Sequence, residues 1–287
     1  MTDLLDPRVD FVFKRIFGSE SNKDVLLAFL NRTFMEAGEP PLTDITLVNT
    51  HTDKDSPEDK QAILDIKAET AQGKRINIEM QMGNPYNMEK RMLFYWSAMY
   101  YHQLKEGKNY NLLKKCVAIN ILNYSFLPNE RIHNIFHLQE DHTGIPLNDD
   151  LEIHTMELGK LDEYPHPLEE GGLINWLLFI KGVDRSSWEV LAMNEPMLKK
   201  AMNTLEFLSQ DASTREAYEA RMKALRDEVS KLEGAKAEGK AEGKAEGLSE
   251  GKVQTALNML NMGFEVVIIA KATGLSEEEV RSLRPVH

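Results

Sequence analysis

The sequence predicts an α/β domain followed by a helical C-terminal region, and three observations carry that prediction. Two segments of helical period open the chain, at residues 10–17 and 22–34. Between residues 44 and 122, β-branched and apolar runs alternate with a single helical segment. From residue 173 onward every patterned segment has helical period.

The elements follow in order. Val9, Val12, Phe13, Ile16 and Phe17 share one helical face, and Val25, Leu26, Phe29 and Leu30 repeat the pattern. Residues 44–50 (DITLVNT) form a strand, and 51–58 a polar loop with Pro57. Residues 62–69 and 75–82, joined by a glycine-containing turn, form a β-hairpin. A helix over 90–104 packs through Leu93, Trp96, Ala98, Tyr100 and Tyr101. Residues 117–122 (VAINIL) suit a strand covered on both faces. Further strands at 135–138 and 153–158 run out before Pro165 and Pro167. Helices follow at 173–180, 188–193, 197–208 and 214–232.

Residues 234–251 (GAKAEGKAEGKAEGLSEG) repeat with a period of four. Each internal glycine costs a helix about 1 kcal/mol relative to alanine. Glu238 and Glu242, and Lys240 and Lys244, set like charges at i,i+4. The segment is expected to be a flexible tether; the alternative is a helix whose glycine row admits a partner helix. Three short helices end the chain, with a Met262-Gly263 turn, a Thr273-Gly274-Leu275-Ser276 turn and Ser276 as an N-cap. They resemble a helix-turn-helix, but Arg281 and Arg284 face three consecutive glutamates, which favours an interaction bundle over a DNA reader. The domains are then 1–162, an α/β domain; 163–233, helical; 234–251, tether or helix; and 252–287, a small helical bundle.

Composition narrows the function classes. Among the 287 residues no run approaches the ~18 apolar residues of a membrane span. Residues 1–17 lack the uninterrupted apolar core of a secretory signal. Cys116 is the only cysteine, which excludes an internal disulfide framework or a cysteine-rich zinc site and suits a reducing cytoplasm. The net charge of −12 opposes phosphate binding, yet the acids crowd into 130–170 and 211–250. Lys60, Lys67, Lys74, Arg75, Lys90, Arg91, Lys105, Lys108, Lys114 and Lys115 lie in the nearly balanced first part, as a candidate basic face or as solvated surface.

The hairpin carries the chemistry. With Ala71-Gln72-Gly73 as a three-residue loop and Gly73 left-handed, opposite residue numbers sum to 144. Leu64 then faces Met80, Ile66 faces Ile78 and Ala68 faces Ile76, an apolar face. On the other face Asp65 lies across from Glu79 and Lys67 from Asn77, with Gln81 two residues beyond Glu79. Facing carboxylates destabilise a sheet. Either a divalent cation with oxygen ligands sits between them, or Lys60, Lys67 and Arg75 neutralise them.

The segment LDIKAETAQGKRINIEMQ resembles the catalytic hairpin of the PD-(D/E)XK nucleases. With DFVFKRIFG, YWSAMYYHQLKEGKNY and a glycine-rich segment before TGLSEEEV, nearly the whole chain resembles the Rpn (recombination-promoting nuclease) family. The resemblance implies a mixed central sheet flanked by helices. It implies a Mg²⁺- or Mn²⁺-dependent DNA endonuclease linked to recombination of mobile DNA or to phage defence. Asp65 and Glu79 match the metal-binding acids, and Gln81 stands where many superfamily members have lysine, although the Rpn pattern itself is Glu-x-Gln. Lys14 and Lys60 also fall at recurrent positions. Glutamine supplies neither charge nor a base near neutral pH, so the metal must do more. Lys67, on the face of the acids, is the candidate substitute cation.

Competing patterns are weaker. There is no glycine-rich nucleotide loop, and His51, His102, His133, His137, His142 and His154 lack zinc spacing. Trp96, Tyr100 and Tyr101 suit packing better than base stacking. The expected partners are DNA and, through the C-terminal region, a second copy of the chain; no membrane is expected. The alternative is a catalytically inactive DNA-binding or oligomerisation scaffold.

Overall fold

The alternation of strand and helix signals resolves into one mixed sheet with helices on both faces. A computed structural model describes residues 3–48, 66–83, 86–163, 172–193 and 195–283. Along the chain lie α1 (Asp10–Phe17), α2 (Lys23–Glu36), β1 (Ile45–Val48), β2 (Ile66–Thr70), β3 (Arg75–Gln81) and α3 (Met88–Tyr101). They are followed by β4 (Cys116–Leu122), β5 (His133–His137), β6 (Leu151–Glu157), α4 (Lys160–Glu163), α5 (Leu173–Lys181), α6 (Trp188–Leu191) and α7 (Pro196–Gln210). A long helix, α8 (Ala212–Asn261), leads to α9 (Val266–Thr273) and α10 (Glu277–Ser282). The predicted polar loop at 51–58, the start of the second strand through Asp65, Pro165, Pro167 and Arg284 lie outside the described residues.

The strand order is β1-β2-β3-β4-β6-β5. The pairs β1–β2, β2–β3 and β5–β6 are antiparallel, whereas β3–β4 and β4–β6 are parallel. The hairpin has the register that the apolar alternation predicts: Ile66 opposite Ile78, Lys67 opposite Asn77 and Ala68 opposite Ile76. Its loop closes with Thr70 donating to the Lys74 carbonyl, and Gly73 has φ +83°. Any side chain there would be strained.

Alternation divides the sheet into two covered faces. On the first, Ile66, Ile76, Ile78, Val117, Ile119 and Ile121 are buried with Val12, Phe13, Ile16, Phe17, Phe29 and Trp176. Phe17, Phe29 and Trp176 pack with ring centroids 5.6–6.1 Å apart, a core that joins α1, α2 and α5. Gly18 closes α1 where an added Cβ would stand 2.9 Å from the Lys14 carbonyl and 3.1 Å from Ile66. That close approach fixes how α1 meets β2. On the second face, α3 lays Met88 and Met92 on Ala118, Leu122 and Ile153, with Trp96 packed beside them.

The phase of α3 differs from expectation. Met88, Met92 and Trp96, four residues apart, make its inner face, while Leu93 and Tyr101 are exposed. Tyr100 stacks on Trp96, with centroids 5.0 Å apart, and donates to Asp150. From Met92 to Tyr101 (MLFYWSAMYY) apolar and aromatic residues fall on every side of the helix, so periodicity alone leaves the buried side open.

The chain divides into two units, 1–218 and 219–287. Residues 234–251, expected as a tether, lie within the continuous helix α8, with glycines at 234, 239, 243, 247 and 251 that have open space around them. In the second unit Ala256, Ile269 and Val280 form a small core. Ser276 caps α10 in a reciprocal capping box with Glu279.

One buried charge network lies on the first sheet face. Glu152 accepts from His154 at 2.6 Å and pairs with Lys115 at 2.6 Å; His154 meets His133 at 2.8 Å, and His133 meets Glu36 at 2.8 Å. Burial would raise the Glu152 carboxyl, but hydrogen bonds from His154 and Lys115 hold it well below the ordinary carboxylate range. Burial likewise holds the His154 imidazole below its ordinary value, against the pull of Glu152. Both groups bind protons more weakly in the folded state, so both favour folding at neutral pH and lose that contribution as pH falls. His154 begins to lose it below about 6.5, the unfolded value. The thermal midpoint is therefore expected to fall between pH 7 and pH 5. His154→Gln should start lower at pH 7 and show a flatter slope in that window; an unchanged slope would assign the acid sensitivity to other groups.

Candidate active site

The parallel pairing of β3, β4 and β6 builds one polar row across the second face. Glu79 stands beside Asn120, Asn120 beside Thr155, and Thr155 beside Asn134. Glu79 is 7% exposed, Asn120 3% and Thr155 0%. Asn77, one row earlier, is buried too. The Asn77 Oδ1 and Thr155 Oγ1 atoms are buried without a hydrogen-bond partner among the described residues. Asp65 lies outside the described residues.

Gln81 is next to Glu79 on the same face, at the carboxyl end of β3. Its Oε1 accepts from Arg91 Nη2 of α3 at 2.9 Å, and its Nε2 donates to the Gly83 carbonyl at 2.6 Å. The two bonds fix the amide orientation. The neighbouring Asn123 donates its backbone N–H to the Gln81 carbonyl at 3.0 Å, and its Oδ1 accepts from Arg8 at 2.7 Å. Arg8 is already bound to Asp6 at 2.8 Å. The site thus opens where β3 and β4 end, the usual ligand-binding end of an open α/β sheet.

Lys67 stands on the expected face, half-buried, opposite Asn77. Burial, aided by the nearby Arg75, lowers its ammonium pKa. Gln81 is four residues along β3 from Asn77, roughly 13 Å at the rise of a strand. The cation beside Gln81 is therefore Arg91, at the far end of the row from Lys67. Of the ten basic residues of the first part, Lys60 lies outside the described residues, and two others are taken up by carboxylates: Lys74 pairs with Glu39 and lies over Phe34, and Lys115 is held by Glu39, Asp149 and Glu152.

The family model for the PD-(D/E)XK nuclease family transposase matches residues 7–235. The chain belongs to this family. A second model, the C-terminal HTH domain of the Rpn/YhgA-like nuclease family, matches residues 249–285. No curated protein and no solved structure matches the chain. The fold is the PD-(D/E)XK-like mixed sheet with a helical C-terminal region, and membership supports a nuclease role. No described helix is long and apolar enough to cross a membrane.

The residues of this nuclease-family site fit a hard divalent cation. The Glu79 row offers oxygen donors, and the histidines of β5 and β6 on the opposite face point away from it: His133, His137 and His154 alternate with Asn134 and Thr155. Cys116 lies two rows off and is held as a neutral thiol, pushed up to about 12 by burial. Another cluster, His137, Asp149 and Glu152, holds possible ligand atoms within 4.8 Å of one another. It lies on the opposite face around Glu152, and the Lys115 ammonium already stands 2.6 Å from Glu152 and 3.0 Å from Asp149. That cluster is a salt-bridge network.

A second carboxylate on the face of Glu79 has a structural task. Glu157, wholly buried, accepts from the backbone N–H groups of Phe126 and Leu127 at 2.6 and 3.0 Å, and pairs with buried Lys160 at 3.0 Å. The sequence places Arg91 in the candidate basic face without linking it to Gln81, and it does not single out Asn120, Thr155 or Glu157, because strand order decides which residues share a row. Arg91 alone carried a signal, ten residues after Gln81 in a helix on the crossover from β3. Glu157→Ala leaves the buried Lys160 ammonium with neutral partners, the Asn129 Oδ1 and the Arg131 carbonyl at 3.1 Å each, so it is expected to cost about 3–5 kcal/mol in stability by denaturant titration. A loss below about 1 kcal/mol would show that these neutral partners suffice.

Proposed function

We propose that this chain is a Mg²⁺- or Mn²⁺-dependent DNA endonuclease with Asp65 and Glu79 as its metal ligands. The observation that carries the reading is the described hairpin register on the Glu79 face; continued one residue beyond Ile66, it would set Asp65 across from Glu79. The family match and the oxygen-rich row support it. In the reaction a water oxygen bonds to phosphorus and gives up a proton to solvent, the P–O ester bond breaks, and the leaving oxygen takes a proton from solvent. A bound divalent ion lowers the pKa of its water and neutralises charge on the phosphate. Asp65 and Glu79 would hold the ion, and Lys67, half-buried on the face of Glu79, would add positive charge. Gln81, with both amide ends already bonded, neither gives nor takes a proton near neutral pH. The setting, recombination of mobile DNA or defence against phage, comes from the family resemblance, and cytoplasmic location from the sequence reading.

The C-terminal unit is proposed to join copies of the chain. Its last helix, α10, begins with Glu277, Glu278 and Glu279, where a DNA-reading helix would present its base contacts. Met262, Phe264, Val267 and Ile268 are large apolar residues exposed on the same unit. Replacing Phe264 and Ile268 together by glutamate should reduce the mass measured by light scattering to that of one chain. An unchanged mass would remove this surface as the oligomer contact.

The catalytic reading is tested with purified full-length protein on plasmid DNA. Mg²⁺ or Mn²⁺ should produce nicking that Asp65→Ala and Glu79→Gln abolish while leaving the fold intact. Metal at 100 times its Kd should stabilise the wild type by about 2.7 kcal/mol, seen as a raised melting temperature. A wild type that neither nicks DNA nor melts higher in millimolar metal would favour an inactive scaffold instead.

A further inference from the structure

Among the described residues, Arg91, paired to Gln81, has no carboxylate partner for its charge. Arg91 presents five N–H donors in a planar fork. Among the described residues its one hydrogen bond goes to Gln81 Oε1, and it makes no ion pair with a carboxylate. Tyr124 bears on the same point. Its hydroxyl is buried without a partner among the described residues, and the Arg91 charge acts on it, opposing the rise that burial causes. An arginine that is half-buried, unpaired and steadied by a neutral amide keeps its full charge for a ligand.

Position gives that charge a purpose. Successive residues on one face of a strand are roughly 7 Å apart, so the Gln81 side chain starts one such step from Glu79. Arg91 reaches Gln81 from α3, with its backbone anchored where Met88 and Met92 pack on Ala118 and Leu122. A lysine at position 81 would put a cation on the strand itself. Here the glutamine carbonyl holds a guanidinium beside that position. Glutamine is suited to this because it is neutral: a carboxylate would cancel the charge, and an ammonium would repel it.

We propose that Arg91 is the phosphate-binding cation of the active site and that Gln81 is the positioning residue that holds it. The free edge of the guanidinium fork takes the non-bridging oxygens of the DNA phosphate, a bidentate match that lysine cannot give. The assignment deepens the nuclease reading and rests on it. It also reverses a simple expectation: lysine at position 81 restores no missing charge in the wild type, because it would stand against Arg91.

The test pairs cleavage with binding. Arg91→Ala should lower kcat/KM for nicking in Mg²⁺ by roughly 100-fold, the scale of losing one preorganised donor to transition-state charge. Arg91→Lys should recover part of that loss. The decisive variant is Arg91→Ala combined with Gln81→Lys. With the guanidinium gone, the lysine can occupy its place, and activity should rise at least tenfold above Arg91→Ala alone. A purely structural Arg91 would not be rescued by a lysine on β3, so a folded double variant no better than Arg91→Ala overturns the proposal, as does an Arg91→Ala enzyme of wild-type rate.

Binding of a labelled duplex in Ca²⁺, followed by anisotropy across a salt series, provides the second arm. Removing one phosphate contact should reduce the slope of log K against log salt by about 0.9. If the wild type cleaves nothing, the nuclease reading fails on its own, and this slope still judges Arg91: a decrease supports the phosphate contact, and an unchanged slope overturns it.

Discussion

The pairing of β2 with β3 is the constraint on which the rest of the site depends. The three-residue loop with left-handed Gly73 allows one register, and that register puts Ile66, Ala68, Ile76 and Ile78 under the helices. A slip by one residue would turn Ile66 and Ala68 to the opposite face and bring Lys67 and Glu69 under the helices in their place. The same alternation brings Glu79 and Gln81 to the other face. Core and site are therefore two consequences of one pairing, and the hydrophobic energy of the first face holds the geometry of the second.

The two faces treat charge in opposite ways. Around Glu152 every charge has a partner: Lys115 bridges three carboxylates, and His154 and His133 pass hydrogen bonds on to Glu36. Such a network is closed, with no capacity left for a ligand. On the Glu79 face, Asn120 and Thr155 continue the row of Glu79, and among the described residues the buried Asn77 Oδ1 and Thr155 Oγ1 have no hydrogen-bond partner. Buried polar atoms without partners cost about 1–3 kcal/mol each, which a folded protein tolerates where a ligand completes the set. Glu157 shows the distinction within one face, since its oxygens are already taken by backbone N–H groups and Lys160.

The helix α8 sets a different balance. Its glycines and like-charge rows weaken a lone helix, yet the segment is bounded by a good amphipathic stretch before it and the packed three-helix core after it. Helix formation is cooperative, so growth from both ends carries the repeat into helical form at less cost than starting a helix within it. Local propensity, which predicted a tether, omits that contribution from the flanks.

The sequence by itself determined the element order, the hairpin register, the Ser276 cap and the pairing of an acid with Gln81 on one strand face. Each rests on local rules: a period of two or 3.6, one turn geometry, one capping bond. Tertiary structure decided which strands lie side by side, and hence that Asn120 and Thr155 extend the row of Glu79. It also decided the rotation of α3, because a helix with apolar and aromatic residues on every side from Met92 onward takes its phase from the surface it meets. That rotation turned Leu93 and Tyr101 outward and brought Arg91 to Gln81. Lys67 was legible as a cation on the right face, since face is fixed by parity along a strand. The cation next to Gln81 was not, because contact across a helix and a sheet depends on packing that no spacing in the chain encodes.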